Sequence, residues 1–202
     1  MVRDGRRDSI PRLRRDDVAV VLVDVQEKFV PMLFQRERMV RNCTLLIKAA
    51  RVMGLPIVVA EQYPHGLGQT VPELREAMGG IKPIEKMTFS TFGCGEFVSA
   101  LEETERNQLL ICGIESHVCV IQTVMDALER DYEVFVSMDA VTSRTQLNWE
   151  AGVRRVRGLG GILVTTEMAI FELLHTAEAP EFREVQGFIK ELSPISPDDY
   201  GS

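Results

Sequence analysis

Three side chains of complementary chemistry stand far apart in this chain: Asp24, Lys86 and Cys119. A thiolate is a nucleophile, a carboxylate can take and return a proton, and an ammonium can hold the carboxylate and favour the thiolate. Cys119 closes the segment Gly113-Ile114-Glu115-Ser116-His117-Val118-Cys119, directly after the apolar run Gln108-Leu109-Leu110-Ile111-Cys112. That pattern predicts a buried strand, a tight polar turn and a helix opening at the cysteine. Unpaired N–H groups and the positive end of the helix dipole would favour thiolate there. A lysine within a few ångströms would lower the thiol by roughly 1–3 units from about 8.5, into the neutral range. Plainer readings stay open for each residue. Cys119 can be a small buried hydrophobe, Asp24 a cap or turn residue, and Lys86 a solvated strand end.

The elements that must position these groups alternate along the chain. Val18 to Val23 is a continuous apolar run, as expected of a strand buried on both faces, and Asp24 ends it. Further strands are predicted over 56–60, 82–86, 109–112, 133–138 and 162–165, the fifth of these six ending at Asp139. Helices are predicted over 41–53, 71–78, 94–104, 118–130, 149–159, 167–174 and 180–192, with 61–69 as a Gly-, Pro- and Tyr-containing loop. Such alternation makes a parallel, Rossmann-like sheet of about six strands with helices on both faces. Chemistry in these folds lies beyond the carboxyl ends of the strands, so Asp24, Lys86 and Cys119 are expected on one rim.

The chain has 202 residues, enough for one domain over 17–192, with a loose lead-in at 1–16 and a Pro- and Ser-containing tail at 193–202. A net charge of −7 argues against a nucleic-acid face. The one basic cluster, Arg3, Arg6, Arg7, Arg12, Arg14 and Arg15, is terminal and broken by Asp4, Asp8, Asp16 and Asp17. No signal peptide and no membrane-spanning run is visible, so no membrane partner is expected. Cys43, Cys94, Cys112 and Cys119 show neither zinc spacing nor a disulfide framework, and a reducing cytoplasm is the simplest compartment.

Four ordered motifs carry a resemblance. Val23-Asp24-Val25-Gln26-Glu27-Lys28-Phe29 is similar to the opening DxQxxF motif of the isochorismatase-like cysteine hydrolases. Glu85-Lys86-Met87-Thr88-Phe89-Ser90-Thr91-Phe92 resembles their lysine motif, Gly113 to Val120 their nucleophile motif, and Asp139-Ala140-Val141-Thr142-Ser143-Arg144 their later Asp-Ala segment. Glu61-Gln62-Tyr63-Pro64-His65-Gly66-Leu67-Gly68 and Glu115-Ser116-His117-Val118-Cys119 look like the isochorismatase domain-containing subgroup.

The resemblance implies a three-layer α/β/α sandwich and an Asp24-Lys86-Cys119 triad. It also implies a cis peptide bond at Ile114–Glu115 and an oxyanion hole made of the Glu115 and Cys119 backbone N–H groups. Gln26, Phe29, Tyr63, Ser90, Phe92 and His117 are candidate pocket residues, with Phe29 and Phe92 equally readable as core and His117 as a cap of the turn. Isochorismatases that cleave a vinyl ether lack the nucleophilic cysteine. Nicotinamidases of the family hold a metal with an Asp and several His after the second strand, where this chain offers His65 alone. No metal and no cofactor are therefore expected, and His65 and His175 read as surface residues.

The expected activity is metal-independent hydrolysis of a small carbonyl compound, an amide, through a thioacyl-enzyme. Vinyl ether hydrolysis is one alternative, and a binding or redox-sensing protein that keeps the triad is another. The expected partners are a small-molecule substrate and further copies of the same chain.

Overall fold

The computed structural model describes residues 10–192. Its centre is β1 (Val18–Val23), buried along its whole length. β-Branched residues suit a strand packed on both faces, and alternation sends them to two cores. Val18, Val20 and Leu22 enter one with Met39, Leu46, Leu74, Ile170 and Val185. Ala19, Val21 and Val23 enter the other with Phe97, Val124 and Val153.

The helices divide accordingly. On the first face lie α1 (Arg36–Val52), α3 (Pro72–Met78), α7 (Thr166–Leu174) and α8 (Phe182–Leu192). On the second lie α4 (Gly95–Glu102), α5 (Ile121–Glu129) and α6 (Gln146–Gly158). The remaining strands are β2 (Ile57–Gln62), β3 (Ile84–Lys86), β4 (Gln108–Ile114), β5 (Glu133–Thr142) and β6 (Ile162–Val164). A one-turn helix, α2 (Pro64–Leu67), follows β2. The expected three-layer sandwich with six strands is what the chain forms.

The sheet order is β3-β2-β1-β4-β5-β6, parallel at every pairing. The chain winds outward from β1 to β3, then returns to the other side of β1 as β4. That reversal makes the crevice beyond β1 and β4 the topological switch point, where ligands of such sheets bind. Asp24 and the Cys119 turn follow these two strands.

Several boundaries differ from expectation. α1 starts at Arg36 instead of 41, and β2 runs on to Gln62. The 61–69 loop contains α2, because Pro64 suits a first helical position. β5 continues past Asp139 to Thr142, with its register against β4 shifting between Ile111 and Gly113. Asp139 can sit inside the strand because its Oδ1 accepts bonds from Ser137 Oγ, Thr166 N–H and Thr166 Oγ1. Part of the expected loose lead-in is fastened: Leu13 is buried, and Arg15 binds the Met53 carbonyl and Glu181. The rest of it, and the tail, lie outside the described residues. Among the described residues, no helix is long and apolar enough to cross a membrane.

Candidate active site

Lys86 is the last residue of β3, and Asp24 follows β1 in a left-handed conformation, φ 55°. β2 lies between these two strands, so the lysine side chain crosses it to reach the carboxylate. Lys86 Nζ donates to Asp24 Oδ2 at 2.7 Å, with both side chains buried. It also donates to Gln62 Oε1 at 2.7 Å and meets the carbonyls of Thr88 and Phe89 at 3.2 and 3.1 Å. The other carboxylate oxygen, Asp24 Oδ1, is buried without a hydrogen-bond partner among the described residues.

Cys119 is the fourth residue of a π-helical turn, Ser116–Val120, that runs directly into α5. The helical path therefore opens before the cysteine, not at it. Glu115 O accepts from Val118 N–H at 3.0 Å and from Val120 N–H at 3.1 Å, and the second of these bonds spans five residues. Turns of this kind insert one extra residue and recur at functional sites. The Ile114–Glu115 peptide bond is cis. Among the described residues, no acceptor takes the Glu115 N–H, and the Cys119 N–H makes no bond outside its own turn. The buried Glu115 carboxylate is occupied by Arg144 N–H at 2.9 Å and Arg144 Nε at 3.1 Å.

The charge balance differs from the expected thiolate. Burial pushes the Cys119 thiol up to about 12, and the nearby Asp24 charge adds to this against a smaller opposing pull from Lys86. Burial also raises the Asp24 carboxyl to about 6, against the charge and hydrogen bond of Lys86. Asp24 and Cys119 perturb each other as hydrogen-bonding neighbours, although no bond of regular geometry joins them. At neutral pH the arrangement is a thiol beside a carboxylate and an ammonium. The lysine expected to release the thiol proton has its charge committed to Asp24.

The six candidate pocket residues separate into two groups. Gln26 is fully buried: its Nε2 donates to the Gln62 and Gly68 carbonyls and its Oε1 accepts from Gln62 N–H. Phe92 packs in the second core beside Phe97 and Tyr132. Ser90 is buried and its Oγ accepts from Phe92 N–H at 3.2 Å. Phe29 is half-buried with the Arg144 guanidinium over its ring, and Tyr63 is exposed. His117 is half-buried, its Nδ1 2.9 Å from Ser143 Oγ, which lies 2.6 Å from Ser116 Oγ. His117 thus ties the nucleophile turn to the end of β5. His65 stands beside Tyr63, and among the described residues no three His, Cys, Asp or Glu side chains gather into a metal-binding group.

Sequence reasoning missed Gln62 as a partner of Lys86. The available signal was register: Gln62 ends β2 directly opposite Lys86 in β3.

The chain is similar in sequence and fold to known proteins. The isochorismatase domain profile matches residues 18–168. Isochorismatase domain-containing protein 2A of Mus musculus is 37% identical over 195 residues, covering 94% of this chain and 91% of that protein. The structure called MAR1 ribonuclease from Caenorhabditis elegans is 35% identical, with a TM-score of 0.85 over 93% of this chain and 96% of its own. YcaC from Pseudomonas aeruginosa, described with hexane-2,5-diol and covalent acrylamide, is 25% identical, with a TM-score of 0.84 over 96% and 99% of the two chains. The fold, the ordered motifs and these matches agree, and the chain belongs to the isochorismatase family.

Proposed function

We propose that this protein is a cysteine hydrolase that cleaves the C–N bond of a small amide through a thioacyl-enzyme. The observation that carries the reading is the free oxygen of Asp24. Oδ2 is held by Lys86, Oδ1 is buried without a hydrogen-bond partner among the described residues, and the Asp24 carboxyl neighbours the Cys119 thiol. A buried carboxylate oxygen without a donor is costly, and a thiol proton is what it can take. The covalent acrylamide of the Pseudomonas relative supports a nucleophilic site in this fold, since acrylamide is an electrophile.

In the resting site Asp24 is ionised and Cys119 protonated. As Sγ attacks the carbonyl carbon, the thiol proton passes to Asp24 Oδ1. The developing oxyanion is received by the Glu115 and Cys119 N–H groups. Collapse breaks the C–N bond, and Asp24 returns its proton to the leaving nitrogen. Water then attacks the thioester and gives a proton to Asp24. The C–S bond breaks, and Asp24 reprotonates the departing thiolate. Asp24 relays both protons of the cycle: the thiol's proton leaves on the amine, and the water's proton restores the thiol. A thiol held protonated at neutral pH is a poor oxidant target, which weighs against redox sensing.

The test is a hydrolase substrate panel with Cys119→Ala as control. RNA belongs in the panel because the nematode structure is called a ribonuclease, although a chain with net charge −7 has little general attraction for it. Turnover should be found among the amides, vanish in Cys119→Ala, and leave an acyl mass on Cys119 in the native protein. Retained turnover in Cys119→Ala would sink the covalent route.

A further inference from the structure

Four oxygens surround the Lys86 ammonium, and only that of Asp24 carries charge. The other three belong to Gln62, Thr88 and Phe89. Gln62 is the one side chain among them, and it is locked at both ends. Its backbone N–H and carbonyl are taken by the fully buried Gln26 amide, at 2.8 and 3.0 Å. Its own Nε2 donates to the Met87 carbonyl at 2.8 Å, which turns Oε1 toward the ammonium.

This shell matters most when Asp24 is neutral. Once Asp24 takes the thiol proton, Lys86 is a buried cation without an ionised carboxylate hydrogen-bonded to it. A buried charge is tolerated only if it is paired or hydrogen-bonded. Gln62 Oε1 and the two carbonyls then stand in for water around the ammonium. Without them the protonated state of Asp24 would be harder to reach, and the thiol proton would have nowhere to go.

We propose that Gln62, locked by Gln26, is a positioning residue that sets the proton affinity of Asp24 by carrying the Lys86 ammonium while Asp24 is protonated. Its catalytic meaning rests on the hydrolase reading; its effect on Asp24 does not. In the step it serves, the Cys119 S–H bond breaks and an O–H bond forms at Asp24 Oδ1. The negative charge moves from Asp24 to sulfur, Lys86 keeps its charge, and Gln62 exchanges no proton. The other ionisable groups acting here are Glu61, which raises Asp24 and is itself bonded by Thr70 N–H and Oγ1 at 2.6 Å, and Glu115, which raises Cys119.

The experiment is a carboxyl carbon NMR titration of Asp24 in the full chain, with the signal assigned by its loss in Asp24→Asn. Gln62→Leu removes the neutral acceptor, so the protonated state loses support and the midpoint falls by about one pH unit. Gln62→Glu puts a second carboxylate on the same ammonium and raises the midpoint by about one unit or more. Opposite shifts from one position are the expected result, and the fall in Gln62→Leu is the discriminating one, because an added carboxylate raises Asp24 whatever Gln62 does. If Gln62→Leu does not fold by circular dichroism, Gln62→Met replaces it. Unmoved midpoints, shifts of the same sign, or failure of both neutral variants to fold would overturn the proposal. Shifted midpoints in a protein that hydrolyses nothing would support it and sink the hydrolase reading. Turnover lost in Cys119→Ala with unmoved midpoints would do the reverse.

Discussion

Asp24 and Cys119 influence each other, because the charge on Asp24 raises the thiol and the thiol's hydrogen bond lowers the carboxyl. The raised carboxyl, at about 6, must be ionised to accept the thiol proton. Turnover should therefore fall as pH drops through about 6 and hold above it, which a kcat/KM profile checks. The thiol, pushed up to about 12, should be alkylated by iodoacetamide ever faster as pH rises through neutrality. A plateau by neutral pH would show a resting thiolate instead. Asp24 and Cys119 were legible from sequence because each follows an apolar run, whereas Lys86 closes a short polar segment and was legible chiefly through its motif. The protonation pattern was not, because charge identity reads off the chain whereas burial of both partners arises only on folding.

At the level of elements, the nucleophile is held by close approach. A Cβ on Gly152 of α6 would lie 2.6 Å from the Ser116 carbonyl carbon and 2.7 Å from its oxygen. In an open helix Gly→Ala gains about 1 kcal/mol. Here the clash with backbone dominates, and overpacking of this kind costs roughly 1–3 kcal/mol. Gly152→Ala should lower stability in denaturant unfolding and depress turnover by shifting the Cys119 turn. Gly158→Ala, on the same helix with nothing within 4 Å, should do neither. Strands and helices were readable because apolar runs and 3.6-residue spacing mark them. The π turn was not, since Ser116-His117-Val118-Cys119 carries no local signal of one extra residue. Gln62 went unread for a related reason: its role depends on the pairing of β2 with β3, which is a long-range contact.

For the whole molecule, the same buried carboxyl ties stability to pH. Asp24 has its folded value raised above the unfolded value of about 3.9. Its contribution to stability is thus fully present below about pH 4 and lost as pH rises through about 6, on the order of 3 kcal/mol. Asp24→Asn should be less stable overall, because Lys86 keeps a buried charge without its partner. The slope of unfolding free energy between pH 4 and 6 should be more negative in the native protein than in Asp24→Asn, as urea titrations at several pH values would measure. The sheet order followed from the alternation of elements only in part. Parallel strands and a shared rim were expected, but the placement of β1 beside β4, which creates the crevice, comes from the return crossover.

β3 is an edge strand of three residues, paired with β2 alone. An edge strand this short has few ladder bonds to hold it, yet this one carries the one cation that, among the described residues, bonds to Asp24. Fraying of β3 withdraws that cation while the central strands and both cores stay intact. On the hydrolase reading, turnover should therefore fall on warming before the cores melt, which activity and near-UV circular dichroism followed over the same temperature range would check.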